Sequence, residues 1–172
     1  MKNDAVKSVV VLTLISLIVM ALLASINIVT APRIEKNEYE KMMKSLEGLI
    51  PEVTGDDYQA IDDLSGYPKS VKNVFVDKNG RGVAVIFAVK SQYSSGDMKY
   101  SVGFDMDGKI ISVKQISYME SKSFGKYYEG FAGLEQTSAS NVDVFAGVTY
   151  SSKAFKSGLN DAFEAFKLAN SK

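Results

Sequence analysis

No charged residue lies between Ser8 and Pro32, and residues 9–29 are almost wholly apolar. At ~1.5 Å per residue, a helix of that length crosses a hydrocarbon core of about 30 Å. The run therefore predicts a transmembrane helix over residues 9–31. A cleaved signal peptide is the rival reading, but its apolar region spans about 7–15 residues before a small-x-small site. Here the run is longer, Thr30-Ala31 is followed at once by Pro32, and lipoprotein processing needs a Cys that the chain lacks. A pilin-like subunit would carry an acid early in the run, and residues 9–29 contain none.

Lys2 and Lys7 precede the run, while Arg33 and Lys36 follow it among Glu35 and Glu38. Long domains translocate largely regardless of charge, so the short basic segment 1–8 carries the signal. It predicts a single pass through the cell membrane with the N-terminus cytoplasmic and the domain extracytoplasmic.

The 172 residues suffice for one compact domain besides this anchor. Lys+Arg and Asp+Glu both number 20, so no net field draws the chain to nucleic acid. Cys and His are both absent. Zinc sites of the usual ligand types, thiol nucleophiles, Ser-His triads, haem attachment and disulfides are excluded together. Carboxylate, Lys, Tyr and hydroxyl chemistry remain, or a bound organic cofactor that supplies the reactivity. No catalytic side chain and no metal ligand is assigned.

Beyond the expected break at Pro32, residues Tyr39, Met42, Met43, Leu46, Leu49 and Ile50 recur at helical spacing. Residues 32–70 thus read as an amphipathic helix and a connecting loop with at most one short strand. From residue 71 the period changes to two. Residues 71–76 lead through Asn79-Gly80 into residues 83–89, apolar on both faces and so central in a sheet. Tyr100, Val102 and Phe104 alternate next, and Asp107-Gly108 turns the chain into residues 109–117. Phe155, Leu159, Ala162, Phe163 and Phe166 form one stripe on a final helix over about residues 151–169. The fold class is α+β: an N-terminal transmembrane helix, then an antiparallel sheet packed by helices, with residues 71–172 as the globular domain.

Two short matches carry little. Asp105-Met106-Asp107-Gly108 begins like a calcium loop but lacks the later acids, and reads as a hairpin turn. Ser123-Phe124-Gly125-Lys126 fits Ser-x-x-Lys without the partner motifs of serine acylases.

The stretch from Asp143 to Ser152 places Gly147 and a group of hydroxyls ahead of the final helix. A helix N-terminus presents backbone N–H groups to a phosphate, and Gly147 allows close approach. Capping by Ser151 or Ser152 explains the same residues without a ligand. This stretch resembles the Asp-x-x-Ser/Thr-Gly-Ala-Thr motif of the FMN-binding domain family, in which FMN is held as a phosphoester on the motif Thr by a flavin transferase. Asp143, Gly147 and Thr149 match, while Ala146 stands for Ser/Thr and Val148 for Ala. Upstream, Glu120 and Gly125 match the ends of the family's Glu-Thr-Pro-Gly-Leu-Gly segment. Over nearly its full length the chain is similar to the G subunits of Rnf-type electron-transport complexes and the C subunits of sodium-pumping NADH:quinone oxidoreductases.

The resemblance implies covalent FMN on Thr149 and a cofactor site including Gly147, Val148, Ser151, Ser152, Glu120 and Gly125. It further implies that Asp143 is read by the transferase and that the partners are other membrane subunits of an ion-translocating complex. On this reading the chain is a redox carrier rather than a complete enzyme. The alternative is a membrane-tethered, non-redox binding or assembly module that has lost flavin, a reading sustained by Ala146, Val148 and the missing Pro-Gly upstream.

Overall fold

The computed structural model describes residues 2–92, 94–117 and 127–171. The chain divides into two compact units, Met1–Lys41 and Met42–Lys172.

The first unit lies within helix α1, Lys2–Leu46, which is long and apolar enough to cross a membrane. Four of its hydroxyls are satisfied internally. Thr13, Ser16, Ser25 and Thr30 each donate to the carbonyl four residues back, at 2.9, 2.9, 2.7 and 2.9 Å. In a medium without water this removes the cost of a bare hydroxyl. Pro32 lies inside the helix, so the expected break is corrected. A proline withdraws one rung from the hydrogen-bond ladder, and the rungs on either side keep this helix continuous.

In the second unit five strands form one antiparallel sheet in sequence order: β1 (Tyr58–Ala60), β2 (Val71–Asp77), β3 (Val83–Val89), β4 (Met98–Phe104) and β5 (Ile110–Ser117). The alternation along β3 explains its depth. Val83, Val85 and Phe87 enter one core, while Ala84 and Ile86 enter another on the opposite face. Both faces are covered, as the both-face apolar sequence of this strand requires.

The larger core lies under α3, Thr149–Asn170, whose Phe155, Leu159, Ala162, Phe163 and Phe166 are all buried. Fully burying each large side chain is worth roughly 1.5–3 kcal/mol. Close contact of helix and sheet depends on Gly158, where a Cβ would stand 2.5 Å from the Phe87 side chain. On the other face Leu46, Leu49, Ile50 and Val53 pack against Phe75, Ala84 and Ile86. Gly103 makes room there, since a Cβ would lie 2.8 Å from the Leu49 carbonyl oxygen.

The turn after β4 is held by Asp105, whose Oδ1 accepts from the N–H groups of Asp107 at 3.0 Å and Lys109 at 2.8 Å. That carboxylate serves a hairpin. A short 3-10 turn, Tyr127–Phe131, and helix α2, Gln136–Asn141, then carry the chain to the segment ahead of α3.

Candidate functional site

The segment between α2 and α3 is fastened at both ends by side chains reaching from elsewhere. Lys156 on α3 donates from Nζ to the Ser140 carbonyl at 2.9 Å and to the Val142 carbonyl, neutralising the C-terminal end of α2. The Tyr127 hydroxyl donates to the Asp143 carbonyl at 2.6 Å. Burial, followed by the nearby Asp143 charge, raises the Tyr127 phenol above its usual range and keeps it a donor.

Gly147 adopts φ +86°, a left-handed conformation that a side chain rarely tolerates. A Cβ there would meet nothing within 4 Å. The glycine is therefore required by backbone geometry rather than by crowding, and the space beside it is open. Around this turn the Val148 N–H donates to the Phe145 carbonyl at 3.2 Å, and the Ser152 N–H to the Val148 carbonyl at 3.0 Å.

Helix α3 starts at Thr149, and its N-cap residue is Val148, which contributes no side-chain cap. The expectation that Ser151 or Ser152 caps the helix is thereby corrected: both lie inside the first turns, 3% and 0% exposed. The Ser152 hydroxyl accepts the Phe145 N–H at 3.2 Å and directs its own proton at the carbonyls of Val148 and Thr149, at 3.0 and 3.1 Å. It pins the loop against the helix. Thr149 instead is only partly buried, and among the described residues no hydrogen bond uses its hydroxyl.

Asp143, Gly147, Val148, Thr149, Ser151 and Ser152 thus meet at one loop–helix junction. Glu120 and Gly125 lie outside the described residues, as does the Ser123–Lys126 match. Phe145, Tyr127 and Lys156 were not singled out by sequence reasoning. Phe145 sits inside the motif but is 45% exposed, and its ring centroid is 5.6 Å from that of Tyr127.

An oxygen-linked phosphate fits this junction. Thr149 is partly exposed with its hydroxyl uncommitted among the described residues, the neighbouring glycine leaves open space, and the helix dipole points its positive end toward the site.

Residues 94–164, which include the junction, match the family described as FMN-binding domain, and residues 1–49 match the RnfG N-terminal region. The G subunit of an ion-translocating oxidoreductase complex from Shewanella baltica (strain OS223) is 24% identical over 189 residues, covering 94% of this chain and 89% of the relative. The protein of the same description from Shewanella piezotolerans (strain WP3 / JCM 13877) is 25% identical over 164 residues, covering 91% and 74%.

Proposed function

We propose that this chain, similar over residues 94–164 to the FMN-binding domain family and over residues 1–49 to the RnfG N-terminal region, is a membrane-anchored electron-transfer subunit holding FMN covalently on Thr149. FMN, when bound, supplies reversible uptake and release of electrons that no side chain of this Cys-free and His-free sequence offers. The chain's own residues supply attachment, orientation and a place in a larger ion-translocating complex. Its partners are the other membrane subunits of that complex and a flavin transferase.

The difference in exposure among three neighbouring hydroxyls carries the choice of Thr149. Ser151 and Ser152 are buried, and Ser152 is already committed to the loop backbone, whereas Thr149 is partly exposed and no hydrogen bond among the described residues uses its hydroxyl. In the attachment step that oxygen forms a bond to the flavin-side phosphorus of a flavin dinucleotide. The pyrophosphate bond breaks, the nucleoside monophosphate leaves, and the hydroxyl proton passes to a base of the transferase. No electron is gained or lost. The start of α3 then stabilises the phosphodiester charge by roughly 0.3–1 kcal/mol.

Gly147 and Val148 shape the turn that presents Thr149, and Ser151 and Ser152 hold it on the helix. Asp143 is exposed and serves recognition by the transferase, since an anion beside the phosphate would repel it. Glu120 and Gly125 complete the set of flavin-binding residues. The anchor spans residues 9–31 with segment 1–8 cytoplasmic, and the compact unit from Met42 onward, which takes in β1 and the second core, is extracytoplasmic.

The test is the intact mass of the full chain, purified from membranes of a host with and without the transferase. An added FMN phosphoester only when the transferase is present supports the proposal. An unmodified mass in both hosts overturns covalent attachment and favours a non-redox assembly module.

A further inference from the structure

The most unusual surface feature near Thr149 is a large aromatic ring that the protein braces but does not cover. Phe145 is 45% exposed, although its backbone is held on both sides. Its N–H donates to Ser152 Oγ and its carbonyl accepts from the Val148 N–H. Behind the ring stands Tyr127, 5.6 Å away between centroids and tilted by 47°. Tyr127 rests in turn on Phe131 at 5.3 Å and Phe155 at 6.3 Å, both fully buried, and its hydroxyl is tied to the Asp143 carbonyl.

We infer that Phe145 is the stacking platform for the isoalloxazine ring of the flavin held on Thr149. The inference rests on the attachment proposed above and adds a flavin-contacting residue to it. A planar aromatic tricycle gains most by offset stacking on an aromatic face that is already braced, because little side-chain freedom is then lost on binding. The Phe145–Val148 turn brings this ring close to the start of α3, and the ribityl arm carries the tricycle away from its anchoring residue. Tyr150 is also half exposed, but it adjoins Thr149 directly, too near for the arm to fold back upon it.

The full chain, flavinylated in a host with the transferase and kept in detergent, provides the test. Intact mass is recorded first for the parent, Phe145→Trp, Phe145→Leu and Tyr150→Leu. An indole in van der Waals contact with an excited flavin quenches it by electron donation. Phe145→Trp should therefore dim the native flavin severalfold relative to the same protein denatured, beyond any dimming in the parent. Phe145→Leu keeps apolar bulk against Tyr127 but removes the ring, and should lower the fluorescence anisotropy of the attached flavin. Tyr150→Leu should leave both signals unchanged. If both Phe145 variants carry the flavin mass with the parent's brightness and anisotropy, or if Tyr150→Leu alone moves them, the platform is refuted while attachment stands. A parent without flavin mass refutes the attachment, and the platform with it.

Discussion

The hydroxyl of Ser152 accepts the backbone N–H of Phe145 at 3.2 Å, closing a loop around Gly147 and Thr149. Ser152 is fully enclosed by the fold, so the bond fixes where the loop leaves the helix. Ser152→Ala would leave that N–H without its partner, at a cost of about 1–3 kcal/mol. The expected outcome is a lower melting temperature of the full chain in detergent, with the FMN mass retained because the Thr149 oxygen is untouched. Loss of the FMN mass would show that the Ser152 pin is needed to present Thr149 rather than only to stabilise the fold.

Phe163 is 2% exposed, and its ring centroid lies 5.0 Å from that of Phe104 on β4. Phe163→Asp places a carboxylate without a partner in that core and removes the ring, a loss of at least about 3–5 kcal/mol. The variant should lose its cooperative thermal transition. Phe163→Leu should keep one at a lower temperature. Unchanged melting of the Asp variant would remove α3 from the core.

Asp77 is one acid that makes stability depend on pH at the acid end. Its side chain is fully enclosed and meets Arg81 through Oδ2–Nε at 2.8 Å and Oδ1–Nη2 at 3.0 Å. Those side-chain hydrogen bonds hold its pKa at about 2 against an ordinary 3.8. A lowered folded pKa means that the unfolded chain takes up the proton first. The contribution is therefore complete above pH ~4 and fades as the pH falls toward about 2. Denaturant midpoints of the parent should drop across this window, and those of Asp77→Asn should start lower and drop less. Parallel curves would contradict the assignment.

Because the chain has no Cys, single probes report topology cleanly. With Ser8→Cys and Ser171→Cys, an impermeant maleimide on intact cells should label only the second. The reverse pattern would invert the proposed orientation.

The sheet was legible because Tyr100, Val102 and Phe104 alternate with Ser101 and Gly103 along β4, β3 is apolar on both faces, and Asn79-Gly80 and Asp107-Gly108 mark the turns between strands. Helix α1 was harder. A proline such as Pro32 reads as a stop, yet it removes one hydrogen bond from a helix whose other rungs remain. Helix α2 has six residues, too few for a helical period to show. In the candidate site, Thr149 and Gly147 were readable from the motif, but the division of labour among hydroxyls was not. Serines that follow a glycine at the head of a helix look like caps, and only burial shows that Ser152 works as a pin. Phe145 was missed for the opposite reason: an apolar residue in a sequence reads as core, whereas here its ring is braced from behind and left open in front.

The central claim is that the Thr149 oxygen, and no other hydroxyl at the junction, carries the flavin. Thr149→Val keeps the shape of the side chain and deletes only that oxygen. In a host with the transferase, fluorescence of the full chain on a denaturing gel should be present in the parent, Ser151→Ala and Ser152→Ala, and absent from Thr149→Val. The Val variant should keep the parent's melting temperature. A fluorescent band from Thr149→Val at the parent's intensity would contradict the account.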